Sequence, residues 1–219
     1  MTLIGLLVAF TVSGIIGSQQ RSAIARAKSQ LALLAQALED YKRYYGDYPQ
    51  TGAAAQASAV PSATIGATQA QALLFNALTG VYGPTNFTAR VNGPIFVDVQ
   101  KFTLEVAFTP ATLATFGVPT GSPPAKQPLP NAFLDPWGSR YIYYYKRATV
   151  TLPNGQTPTS PWAAPAYVLY SAGPDQKLGT STTGTGTTDN GINVSTGLYT
   201  GTTQSSGYNA DNIYADKLP

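Results

Sequence analysis

The stretch MTLIGLLVAFTVSGIIGSQQRSAIARAKSQLALLAQALEDYKRYYGDYP, residues 1–49, decides the fold. Its first 17 residues carry no charge. As a helix they would rise roughly 25 Å, the lower limit for spanning a bilayer. Arg21 ends the uncharged run, yet the helical pattern continues. Ile24, Leu31, Leu38 and Tyr45 recur every seven residues, with Ala27, Leu34 and Tyr41 interleaved. Arg26, Lys28, Gln30, Gln36, Glu39, Lys42 and Arg43 fall to the other faces, so the spacing predicts an amphipathic helix. No proline intervenes before Pro49, and Gly46 is a natural helix terminator, so one helix is expected to run to about Tyr45. Three simpler readings of residues 1–17 compete. A secretory signal peptide would carry basic residues before the apolar run, and none precede it. A bare membrane anchor leaves the amphipathic continuation unexplained. A core helix would not need 17 uncharged residues at a terminus. Arg21, Arg26 and Lys28 also conflict with a simple topology, because cations after the run would by themselves hold the following chain in the cytoplasm.

Composition narrows the function. Histidine and cysteine are both absent. This removes serine–histidine and cysteine–histidine catalysis, the usual zinc sites and any disulfide. Only ten Asp and Glu side chains exist, and charged residues make up 11% of the chain, a little under half the usual share. Nothing in their spacing singles out a converging acid pair, so no enzyme is expected. The formal charge of +3 is small and the basic residues are scattered, so nucleic acid is not expected as a main partner.

Beyond Pro49 the chain reads as an α+β head. Residues 50–67 are rich in Ala, Ser and Gly and read as an exposed loop. Gln69–Leu78 reads as a short helix closed by Gly80. Phe102, Leu104, Val106 and Phe108 alternate with polar positions, predicting a half-buried strand. Ile95, Val97 and Val99 run in the opposite phase, which requires a bulge or turn near Gln100. Residues 119–130 are proline-rich loop. Asp135-Pro136-Trp137-Gly138 opens a tyrosine-rich run from Arg140 to Val150, followed by a polar turn at Asn154-Gly155 and a strand over Ala166–Ser171. Three or four antiparallel strands on the C-terminal half of the long helix are the expected packing.

The N-terminal MTLIGLLVAF resembles the start of mature type IV pilins and type II secretion pseudopilins, F-T-L-I-E-L-L-V, with Thr2, Leu3, Ile4, Leu6, Leu7 and Val8 matching. Met1 replaces the usual Phe, and Gly5 replaces a Glu that pairs with a neighbouring subunit's terminal amine in that family. Residues 37–49, the D-P-W-G turn and residues 169–175 resemble the major, G-type pseudopilins. The resemblance implies a pilin fold in three parts: a filament-core or membrane helix at 1–25, its amphipathic continuation at 26–49, and a head at 50–219 that includes a C-terminal loop region at 172–219. It further implies processing by prepilin peptidase with N-methylation at Met1, and assembly through Gly5, Leu6, Leu7 and Val8. The partners would be copies of the same chain in a helical filament, the inner membrane and a secretion or pilus assembly machinery. The location would be the bacterial inner membrane before assembly, then a periplasmic or extracellular filament. A surface pilus for adhesion, motility or DNA uptake is the second reading, and a membrane-anchored module that never polymerises the third.

In G-type pseudopilins a segment like Leu169-Tyr170-Ser171-Ala172-Gly173-Pro174-Asp175, with a later Asp-Asn-Ile, forms a calcium loop. The resemblance therefore implies calcium held by Asp175 and Asp211, by Ser171, and by the carbonyls of Leu169 and Leu178. From residue types alone the same segment is an ordinary solvated turn. A Thr-, Gly- and Ser-rich insertion at 179–207 separates the two halves, and Asp189-Asn190-Gly191-Ile192 within it rivals Asp211. That composition suits a disordered linker or an outward filament face. Asn86-Phe87-Thr88 and Asn193-Val194-Ser195 fit the glycosylation triplet.

Overall fold

The computed structural model describes residues 2–51, 60–61, 64–67, 69–83, 93–108, 126–146, 162–177, 188–189, 192–193, 196–198 and 212–215, with backbone alone at 2–18, 188, 189 and 193. The expected turn at Asn154-Gly155 and residues 119–125 of the proline-rich loop lie outside them. The chain is a mixed helical and antiparallel-sheet protein, with a long N-terminal helix packed on strands.

Helix α1 spans Thr2–Tyr45, 44 residues or about 66 Å of continuous helix. Its apolar seam is the predicted one: Ala27, Leu31, Leu34, Leu38 and Tyr41 are buried, with Ala37 beside them and Ile24 and Tyr45 half-buried. Gln30, expected on a polar face, is instead 4% exposed. The structure supplies the reason, because its amide accepts from Tyr141 Oη at 2.8 Å and donates to the Lys101 carbonyl at 3.4 Å. A buried amide with both ends engaged escapes most of the cost of desolvation. The helix stops at Gly46, whose φ of +86° only glycine adopts freely and whose N–H closes on the Lys42 carbonyl at 2.7 Å.

Helix α2, Ala70–Leu78, matches the sequence expectation to one residue and is buried along its whole length. The preceding loop departs from expectation. Ile65 is buried with Ala72 and Ala132, and Thr51 is buried against Tyr145, so the described parts of residues 50–67 are not uniformly exposed. The turn expected near Gln100 is a short 3-10 segment, Val99–Lys101, with Gln100 N–H donating to the Asp98 carboxylate at 3.1 Å.

The strand expected through Phe108 is cut to β1, Thr103–Leu104, paired antiparallel with β2, Phe133–Leu134. Glu105 N–H still donates to the Ala132 carbonyl at 3.0 Å, and at Val106 the partner becomes a side chain rather than a backbone. Asn131 Oδ1 accepts from Val106 N–H at 3.0 Å, and Asn131 Nδ2 donates to the Val106 carbonyl at 2.9 Å. The ladder ends there, and Val106 is left 44% exposed.

The central sheet is antiparallel, in the order β3 (Ile142–Tyr144), β4 (Val168–Ser171), β7 (Ile213–Tyr214), and α1 packs on β4 and β7. Its inner face presents Tyr141, Tyr143, Tyr145, Leu169 and Ile213 to the helices. The outer face carries Ile142, Tyr144, Val168, Tyr170 and Ala172 and is buried as well. Its cover comes from the insertion. A hairpin, β5 (Thr188–Asp189) with β6 (Ile192–Asn193), places Ile192 against that face at 0% exposure. Gly197 lies against Trp162, whose ring would sit 2.5 Å from an added Cβ, while Ala163 and Ala164 donate to the Thr196 carbonyl. In the described residues, then, the insertion is tied to the sheet and is not a free linker. Burial on both faces accounts for β3 and β4 being apolar or aromatic at nearly every position.

The outer edge of β3 is closed by the chain leaving α1. Thr51 N–H and Oγ1 both donate to the Tyr145 carbonyl, and Tyr143 Oη donates to the Pro49 carbonyl at 2.7 Å. At the same corner Asp47 accepts from Tyr145 Oη (2.6 Å), Lys146 Nζ (2.8 Å), Gln50 Nε2 and Tyr48 N–H. Partial burial pushes the Asp47 carboxyl up, but these four donors outweigh it and hold it below the usual aspartate value. The helix exit is thereby pinned to the sheet.

Candidate functional site

The segment expected to bind a cation begins where β4 ends. Leu169 lies inside β4, and its carbonyl accepts from Ala215 N–H at 2.9 Å. Ser171 is the last residue of β4 and is buried. Its hydroxyl donates to Asp135 Oδ2 at 2.6 Å and accepts from Gly173 N–H at 3.1 Å. The chain then turns through residues 173–176, with Gln176 N–H on the Gly173 carbonyl and positive φ at both residues. Asp175 stands exposed on this turn, and its Oδ1 accepts from Lys177 N–H at 2.8 Å.

Asp135 is the residue that sequence reading passed over. The D-P-W-G segment is a turn built on its side chain: Oδ1 accepts from Trp137 N–H (3.0 Å) and Ser139 N–H (2.8 Å), while Oδ2 receives Ser171. Burial pushes the Asp135 carboxyl above the usual range, opposed by hydrogen bonds from Ser171 and from backbone at Ser139, Trp137 and Gly138. Gln176 Nε2 donates to the Trp137 carbonyl at 2.6 Å, so the two turns are tied at two points. The signal available in the sequence was the pairing of two Asp-bearing turns, each at the end of a strand.

Register brings the third element in. Ser171 pairs with Ile213 across the sheet, so the chain entering β7 runs beside the exit of β4. Leu178 and Asp211 lie outside the described residues, as does the Asp189 side chain. Among the described residues, no group of three or more His, Cys, Asp or Glu side chains forms a metal cluster. The donor chemistry at this corner fits a hard cation in part. Asp175 is an exposed carboxylate beside turn carbonyls, the oxygen types calcium takes. Ser171 Oγ, the Leu169 carbonyl and Asp175 Oδ1 all have hydrogen-bond partners within the protein.

The candidate assembly residues Gly5, Leu6, Leu7 and Val8 lie within α1, described as backbone only, and Met1 lies outside the described residues. So does Asn86 of the first glycosylation triplet, while Asn193 falls on β6. Gln19, Gln20, Arg21, Ser22, Ala25 and Arg26 are exposed, and among the described side chains of α1 the first buried one is Ala27. Beside this point a groove of about 370 Å³ runs between α1 and β7, lined by Gln20, Ile24, Lys28, Pro174, Asn212, Ile213 and Tyr214. Among the described residues, no helix is long and apolar enough to cross a membrane. No family model, curated protein or solved structure matches this chain.

Proposed function

We propose that this chain is a structural subunit of a type IV pilus-like filament with a pilin fold, and that the leading reading is a type II secretion pseudopilin of the G type. The observation that carries the reading is α1. It is one unbroken helix, Thr2–Tyr45, and among its described side chains burial in the head begins only at Ala27. A head fixed to the last turns of a helix leaves the preceding residues to be covered by something else. The uncharged run of residues 1–17 makes that cover apolar, which suits equivalent helices of neighbouring copies and the inner membrane before assembly. Prepilin peptidase and an assembly machinery follow as partners. The role is structural rather than catalytic, with the inner membrane and then a periplasmic or extracellular filament as its location.

The test is a charge in the run. Leu7→Asp would set an unpaired carboxylate among apolar side chains, at a cost of at least a few kcal/mol per subunit. Filaments are expected to disappear from sheared or periplasmic material viewed by electron microscopy, and normal filaments from Leu7→Asp would overturn the reading. The same experiment addresses the second reading, a surface pilus, which the length and low charge of residues 179–207 favour. Long, uniform extracellular filaments bearing the protein select the pilus, and short envelope-bound ones the pseudopilus.

A further inference from the structure

The cations that follow the apolar run need an explanation, because they stand where topology rules disfavour them. Arg21, Arg26 and Lys28 are exposed, and α1 carries no carboxylate before Glu39. Among the described residues none of the three forms an ion pair; the salt bridges lie at Arg43, Arg140 and Lys146. Position along the helix is informative. Arg21 is the first charge after the uncharged run, which places it at the boundary of the hydrocarbon layer. Lys28 lies about 10 Å further along the helix, at the depth of the polar headgroups, with Ile24 between the two. Gln20, Ile24 and Lys28 follow one another every four residues, so they form one stripe along α1, with Arg21 adjoining it. That stripe is one wall of the groove whose other wall is Pro174, Asn212, Ile213 and Tyr214. The groove thus combines the Lys28 ammonium, with Arg21 beside it, apolar flanks and an aromatic ring, and it opens at the level where phosphodiester headgroups lie.

We infer that Arg21, Lys28 and the α1–β7 groove form a docking surface for anionic phospholipid headgroups, holding the unassembled subunit with the base of its head on the bilayer surface. This rests on the membrane-anchored reading above and adds lipid selectivity to it. The occupant follows from charge complementarity: Lys28 in the groove and Arg21 adjoining it offer cations, and the anion available at that depth is a lipid phosphate. Each cation near an anionic surface adds about fivefold to association.

The experiment uses the full chain reconstituted in phosphatidylcholine vesicles doped with spin-labelled phosphatidylglycerol or spin-labelled phosphatidylcholine. The expected result is an association constant several-fold higher for phosphatidylglycerol, weakened at 1 M salt. In R21Q/K28Q the ratio falls to about one, while Arg43→Gln, at the far end of α1, leaves it unchanged. Equal association of the two lipids with the natural chain, or selectivity retained in the double variant, overturns the inference and leaves the anchor intact. Failure of the chain to enter vesicles at all overturns the anchor itself.

Discussion

Glu105 and Arg140 form a buried ion pair whose side chains are 10% and 3% exposed. Arg140 Nε donates to Glu105 Oε2 at 2.6 Å and Nη2 donates to Oε1, a bidentate contact that joins the chain after β1 to the entry of β3. Replacing Glu105 by Ala leaves the guanidinium without its carboxylate in a place with little access to water. Removing one partner of such a pair costs about 3–5 kcal/mol, much of it the penalty on the charge left behind. For a chain of 219 residues each kcal/mol shifts the melting temperature by about 2–4 °C, so Glu105→Ala should melt roughly 6–20 °C below the natural chain. Near-ultraviolet circular dichroism of the full chain in neutral detergent at pH 7 would follow the tyrosine-rich core directly. The double variant Glu105→Leu, Arg140→Met separates charge from shape, since replacing both partners by apolar residues is often neutral or stabilising. It should recover most of the loss. A melting temperature for Glu105→Ala within 2 °C of the natural chain would refute the argument, as would a double variant as unstable as the single one.

Three further outcomes are expected. Asp47 has a carboxyl held below its usual value, so its contribution is present at neutral pH and lost as pH falls through the folded-state value; Asp47→Asn should cost about 1 kcal/mol at pH 7 and the gap should close below the ordinary aspartate range, as read by urea midpoints across pH. Gly197→Ala combines a φ of +71° with a Cβ 2.5 Å from Trp162, and should lower stability by about 2–4 kcal/mol; an unchanged urea midpoint would mean that the insertion does not clamp the sheet. If calcium joins Asp175 to Asp211, excess calcium raises the melting temperature and chelator lowers it; Asp175→Ala and Asp211→Ala remove the difference while Asp189→Ala keeps it, and indifference to calcium returns residues 171–175 to an ordinary turn.

What was legible in the sequence was whatever rested on one periodicity. The seam from Ile24 to Tyr45 needs only the 3.6-residue repeat, and Gly46 with Pro49 fixes its end, so α1 could be read almost to the residue. What failed depended on partners remote in sequence. Gln30 looks polar until Tyr141, 111 residues away, takes its amide. Val106 looks like the continuation of a strand until the Asn131 side chain replaces the expected neighbour. Ile192 is a single apolar residue in a polar tract, and nothing local shows that the outer sheet face lacks another cover. At the candidate site, Ser171 and Asp175 were marked by the resemblance to G-type pseudopilins, since residue types alone read as an ordinary turn, and Asp135 was not, because its role depends on a hydrogen bond across 36 positions.

The sheet order β3-β4-β7 has a consequence for biosynthesis. Ile213 belongs to the same core as Tyr41, so the tyrosine face of α1 gains this neighbour only after a further 172 residues have been made. At ~5–20 residues per second, the ribosome needs roughly 10–35 s to travel from Tyr41 to Ile213. For that interval Leu31, Leu34, Leu38 and Tyr41 lack part of their final cover, and a nascent helix in that condition is a ready client for holdase chaperones or for the lipid surface itself. The order of strands thereby sets how long the newborn chain stays vulnerable to aggregation.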